Sequence, residues 1–227
     1  MALTTRCIFS HQVAKYGEFS ISCWDICCLS PMCKLYSEVI NISAAYLYER
    51  QSDCWFMPTF YGIIKRLIWT TCIFIPIYDS VEDHWFLLVI NITETEAEIW
   101  DSHRDGVKEN HRRECAIAAI VQLHKVFADE LRMFPELYMK LSSIKVIYPE
   151  VDQFVVNIFD PGIYVLKNMQ HYRKRWYHGF HSAGQRVRLT LELINNPKMK
   201  SFMLFVPLYQ LMSNYMKQPT IILLHHI

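Results

Sequence analysis

Apolar residues recur along this chain with two different periods. Between Lys34 and Arg50, Leu35, Val39, Ile40, Ala44 and Leu47 return at three- to four-residue intervals, which predicts a helix. From Cys72 the pattern changes to continuous apolar runs. Cys72-Ile-Phe-Ile-Pro-Ile77 and Trp85-Phe-Leu-Leu-Val-Ile-Asn-Ile92 are rich in β-branched and aromatic residues and predict buried strands. The polar stretch Thr93–Glu96 predicts a turn and Ala97–Trp100 a third strand, giving an antiparallel meander. Asn110–Lys140 reads as mostly helical, with Ile117, Ile120, Val121, Val126, Phe127 and Leu131 available for one face. Ile144–Tyr148 predicts a short strand and Asp160–Arg175 a helix. Gln185–Ile194 predicts a last helix, stopped by Asn195-Asn-Pro197. Trp55–Phe60 is short and aromatic, Ile63–Trp69 predicts a further short helix, and residues 1–33 show no clear period. Strands in the middle with helices on both sides predict an α+β domain.

Composition narrows the function classes. The chain has 227 residues with a formal net charge of +1, so electrostatic binding of nucleic acid is not expected. Hydrophobic residues make up 52% and aromatics 14%, enough to bury a core and exclude a disordered chain. Neither common glycine-rich phosphate loop occurs among the 6 glycines. No apolar run is long enough to span a membrane. Met1–Lys15 lacks the pattern of a secretory signal, so an intracellular protein is expected and the sequons at Asn41 and Asn91 are chance.

Of the 8 cysteines, four crowd into Cys23, Cys27, Cys28 and Cys33. That spacing has no Cys-x2-Cys pair and no nearby histidine, which favours buried or incidental thiols over a zinc site. His171, His178 and His181 likewise have no acidic or thiol partner at metal-ligand spacing and read as exposed polar residues. No metal or other cofactor is expected.

Two residues suggest chemistry. His84 precedes a predicted strand, and Asp101 ends the next one in Trp100-Asp-Ser102. A hairpin brings such ends together, and an acid that orients an imidazole is the base half of a nucleophilic triad. Downstream, Asn157-Ile-Phe-Asp-Pro-Gly-Ile-Tyr-Val-Leu-Lys-Asn-Met169 is a loop feeding a helix. Together with Asp79-x4-His84-Trp85 and Trp100-Asp101-Ser102, it resembles the ubiquitin-like-protease family, the SUMO-deconjugating cysteine peptidases. Within the family it resembles the plant-type catalytic domains. The resemblance runs from about Lys34 to Lys200 and includes Glu38-Val-Ile-Asn41, Trp55-Phe-Met-Pro58 and Gln185-Arg186.

The resemblance implies a cysteine-protease-like fold of the adenovirus-protease type, a mixed, largely antiparallel sheet flanked by helices. It divides the chain into an unassigned segment 1–33, a catalytic-type domain 34–200 and an extension 201–227. It implies a cysteine-type peptidase or isopeptidase that cleaves after a Gly-Gly tail with a His, Asp, Cys triad. His84 would be the base, Asp101 its orienting acid, and Trp85 one wall of a tail tunnel. A SUMO-type ubiquitin-like protein or its conjugate would be the partner, in the nucleus or cytoplasm.

The same comparison predicts that this copy is inactive. The nucleophile's place after Asp160 is held by Pro161, which has no nucleophilic atom and no backbone N–H. The oxyanion Gln, six positions earlier, is Val155, and Gln153 lies two residues too early. The first tunnel Trp appears as Lys34, with Tyr36 the nearest aromatic replacement. Cys72 and Cys115 lie in a strand and in the central helical stretch, away from that helix start. The alternative reading is therefore a non-catalytic module that binds a ubiquitin-like protein, or a decayed copy. Structurally the substitution is favourable: Asp160 is expected to cap the helix and Pro161 to occupy its first position.

Overall fold

One strand, β5 (His84–Asn91), is buried along its whole length, so it must be covered on both faces. The computed structural model describes residues 12–59, 70–150, 158–172, 180–195 and 200–201. Among these, β5 is the middle of a five-stranded sheet. Its order is β3 (Cys54–Phe56), β4 (Cys72–Asp79), β5, β6 (Glu96–Trp100) and β7 (Lys145–Ile147). The three central strands pair antiparallel, as the apolar runs predict, while β3–β4 and β6–β7 are parallel.

Side chains alternate across this sheet and define two cores. Trp85, Leu87 and Val89 face α2 (Ser37–Arg50), α6 (Pro161–Gln170) and α7 (Ser182–Asn195), which contribute Val39, Ile163 and Leu189 among others. Phe86, Leu88 and Ile90 face α3 (Glu109–Val126), α4 (Ala128–Met133) and α5 (Pro135–Ser142), which contribute Leu123, Leu131 and Leu141. The predicted α+β class, with helices on both sides of a mixed sheet, is the one observed.

Several boundaries differ from the sequence reading. The Asn110–Lys140 stretch is three helices. Pro135 opens the third, and because proline disfavours the α conformation in the residue before it, Phe134 leaves the helical region (φ −128°, ψ 75°). The helix predicted from Lys34 begins at Ser37, after an extended Tyr36. The helix predicted to reach Arg175 stops at Gln170, where the unbroken burial of Pro161–Met169 also stops. Residues 12–27, part of the 1–33 segment that shows no clear period, form a hairpin of β1 (Gln12–Tyr16) and β2 (Phe19–Ser22), followed by the short α1 (Cys23–Cys27). Gly17 supplies the positive φ of +57° in the hairpin turn, and β8 (Lys200–Ser201) pairs with the other edge of β1. The Ile63–Trp69 helix prediction lies outside the described residues.

Candidate active site

His84 is the first residue of β5 and Asp101 the first beyond β6. The antiparallel register sets Leu87 opposite Trp100, so the chain leaving β6 runs back past the start of β5. The structure brings the two side chains together: His84 Nε2 lies 2.8 Å from Asp101 Oδ1, and both residues are buried. The same oxygen accepts the His103 amide at 2.9 Å. The other carboxylate oxygen pairs with the guanidinium of Arg112 from α3. Arg112 is 2% exposed and also donates to the His103 carbonyl at 3.0 Å.

A carboxylate only accepts, so Nε2 of His84 carries the imidazole proton and Nδ1 is its basic nitrogen. Burial, followed by the positive field of Arg112, lowers the His84 pKa to about 3. The imidazole is neutral at physiological pH.

The second part of the site is the start of α6. Pro161 is buried at its first position, as the sequence predicts. Asp160 stands before it, but its carboxylate does not cap the helix. Oδ1 of Asp160 instead accepts from Arg186 Nη2 at 2.9 Å and from the Ser182 hydroxyl. Two physical reasons explain the difference. Asp160 has helical dihedrals (φ −94°, ψ −12°), whereas capping side chains work from the extended region. Arg186, 1% exposed, needs an anion once buried, and Asp160 supplies it. Arg186 also donates to the carbonyls of Cys28 at 3.0 Å and Phe159 at 2.7 Å, tying α7 to both loops.

Trp85 joins the two parts. A Cβ on Gly162 would lie 2.6 Å from Cβ of Leu35 and 3.4 Å from Cδ1 of Trp85, so only glycine permits this approach. The Trp85 indole donates to the Leu35 carbonyl at 3.1 Å and stacks at a tilt on Tyr78, 5.0 Å between ring centroids. Lys34 forms an ion pair with Asp83, which also accepts from the Tyr78 hydroxyl at 2.6 Å. Tyr36 is half-exposed by comparison with Trp85 (38% against 7%) and its amide donates to Cys28 Sγ. Beside Tyr78 and Trp85 lies a cavity of about 260 Å³, walled by Met57, Ile77 and Cys115.

Val155 and Gln153 lie outside the described residues. Cys72 opens β4, and Cys115 sits on α3. Spacing gives no hint of the neighbours of Cys115: His111 Nε2 is 3.8 Å from its sulfur and 3.3 Å from Asp79 Oδ2. Burial first, then the negative charge of Asp79, pushes this thiol up, so it is not an activated nucleophile. The sequence carries no sign of Arg112, because an isolated arginine on a helix reads as surface, and Arg186, part of the Gln185-Arg186 pair, shows no sign there of its ion pair with Asp160. Burial also pushes up the thiols of Cys23, Cys27 and Cys28. Among the described residues the one group of three possible metal ligands is Glu94, Glu96 and Glu98. Glu98 is already engaged by the Trp100 indole at 2.7 Å and the Tyr172 hydroxyl at 3.0 Å.

A sheet end carrying a buried His–Asp pair, with a helix start packed against the residue after the histidine, invites comparison with known proteins. The family model of the Ulp1 protease family, C-terminal catalytic domain, matches residues 65–208, well over half of the chain. The chain belongs to the Ulp1 protease family. Solved structures agree with this Ulp1-family fold. One is the SUMO protease Ulp1 with its catalytic cysteine oxidized to a sulfenic acid, at 18% identity and a TM-score of 0.64, covering 87% of this chain and 92% of that one. Another is the Ulp1 protease domain in complex with Smt3, the yeast ortholog of SUMO, at 16% identity and a TM-score of 0.63, covering 87% and 94%. A de-sumoylating protease is similar at 15% identity and a TM-score of 0.56, covering 92% and 94%. At these identities the likeness is one of fold. No curated protein sequence matches the chain.

Proposed function

We propose that this Ulp1-family chain is a non-hydrolytic member that binds a SUMO-type ubiquitin-like protein without cleaving it. The observation that carries the reading is Pro161, buried at the first position of α6. In the family's mechanism a thiolate at this position attacks the carbonyl after the Gly-Gly tail, and the amide of the same residue helps hold the oxyanion. Proline supplies neither group. His84 and Asp101 are the residues that would have served as base and orienting acid. Val155 occupies the place of the side-chain oxyanion donor, so attack and charge stabilisation fail together.

Binding is the activity that remains open to such a chain. A solved relative was captured with Smt3, which supports a partner of that type. Trp85 keeps its place, but Lys34 is committed to Asp83 and gives the tail no apolar wall. The expected interaction is weak and made mainly by surfaces outside the tail tunnel. Calorimetry with SUMO and with SUMO lacking its Gly-Gly tail tests this. Equal, weak affinities support the reading. A large loss on removing the tail shows a working tunnel and contradicts it.

A further inference from the structure

Arg112 belongs to none of the motifs that define the site, yet it is buried against Asp101, the acid hydrogen-bonded to His84. We infer that Arg112 is a positioning residue that claims Asp101 as its ion-pair partner and so withholds His84 from base catalysis, a second block on the chemistry that is independent of Pro161. The inference rests on the reading of His84 and Asp101 given under the proposed function.

The geometry carries it. The two oxygens of Asp101 are shared by the His84 ring, the His103 amide and the Arg112 guanidinium. A base that takes a proton from a thiol becomes an imidazolium. Here that cation would share one buried carboxylate with a permanent guanidinium, leaving a net positive charge out of contact with water. Among the described residues Asp79 offsets it in part. Asp79, opposite His84 in the β4–β5 register, already accepts the amides of Val81 at 3.0 Å and Glu82 at 3.3 Å and pairs with His111. Asp83 is turned to Lys34 and Tyr78. His103 and Lys108 add positive potential, although Lys108 is paired with Glu82. The low proton affinity of His84 agrees with this arrangement.

Histidine-selective NMR titration of the full-length chain tests the inference without needing a nucleophile or a substrate. In the unmodified chain His84 should stay neutral down to about pH 4. Arg112→Gln keeps a donor for the His103 carbonyl but removes the charge, and should raise the His84 midpoint by about one unit or more, a tenfold gain in proton affinity. Arg112→Lys keeps the charge and should leave the midpoint close to that of the unmodified chain. A purely structural anchor would not produce this split. The inference fails if His84 of the unmodified chain titrates above about pH 6, if Arg112→Gln folds with an unmoved midpoint, or if it does not fold. None of these results bears on Pro161, whose reading stands or falls on cleavage by the unmodified chain.

Discussion

Two buried acids end elements on either side of this site, and each is held by a buried arginine from another helix. Asp101 follows β6 and pairs with Arg112 of α3; Asp160 precedes α6 and pairs with Arg186 of α7. Beyond that the two diverge. Asp101 also accepts a hydrogen bond from the imidazole of His84. Asp160 also takes the Ser182 hydroxyl and sits beside a proline, which makes it a clamp between helices. The difference teaches that an acid's place in a sequence pattern does not assign its role. The groups that reach it from elsewhere in the fold do.

The comparison can be broken most forcefully at Asp160. As the anion for a buried guanidinium, its replacement in Asp160→Ala should cost about 3–5 kcal/mol. A residue that merely capped α6 would cost about 1 kcal/mol. Urea denaturation distinguishes the two.

Acid sensitivity should belong to the other acid's neighbourhood. The folded pKa of His84, about 3, lies below the ordinary value of 6.5. The unfolded chain therefore binds this proton first. Stability is complete above pH 6.5 and falls as the pH drops toward 3, by an amount on the order of a few kcal/mol. The Asp79 carboxyl acts in the same direction. Burial raises its pKa, but the amides of Glu82 and Val81 and the His111 ring outweigh this and hold it low, so its contribution too is lost on acidification. His84→Gln should flatten the slope between about pH 6.5 and 4, whereas Asp160→Ala should leave it in place.

A smaller effect sharpens the link between the two regions. Gly162→Ala places a methyl group against Cβ of Leu35, and overpacking of this kind costs about 1–3 kcal/mol. Leu35→Gly, which removes that Cβ, in the same chain should recover part of the loss. Full additivity of the two costs would show that the two residues do not touch in solution.

Much of this was legible in the sequence, for a physical reason. β4 and β5 are largely buried and leave nearly continuous apolar runs, and the hairpin from β5 to β6 fixes where His84 and Asp101 meet. Pro161 at the first position of α6 follows from its fixed φ and missing N–H. The β1–β2 hairpin was not legible, because the register shift between Gln12 and Ala14 breaks the alternation that marks a strand. A signal for α1 was present: Ser22 and Asp25 form a reciprocal capping box. The capping role read for Asp160 failed because its competitor, Arg186, lies 26 residues away and carries no local sign of burial. Arg112 escaped notice for the same reason. Long-range ion pairs are set by tertiary packing, not by spacing.

The central claim is that the chain keeps the fold of a peptidase without its hydrolysis, and cleavage of a SUMO fusion at its Gly-Gly junction tests it most directly. The unmodified chain at micromolar concentration should release no product above background, and a tail-derived electrophile should label neither Cys72 nor Cys115. Pro161→Cys should give slow turnover. Adding Val155→Gln should raise it by about two orders of magnitude, as restoring an oxyanion donor does elsewhere. Robust cleavage by the unmodified chain that disappears in His84→Ala would contradict the account, because it would require a nucleophile other than the residue at position 161.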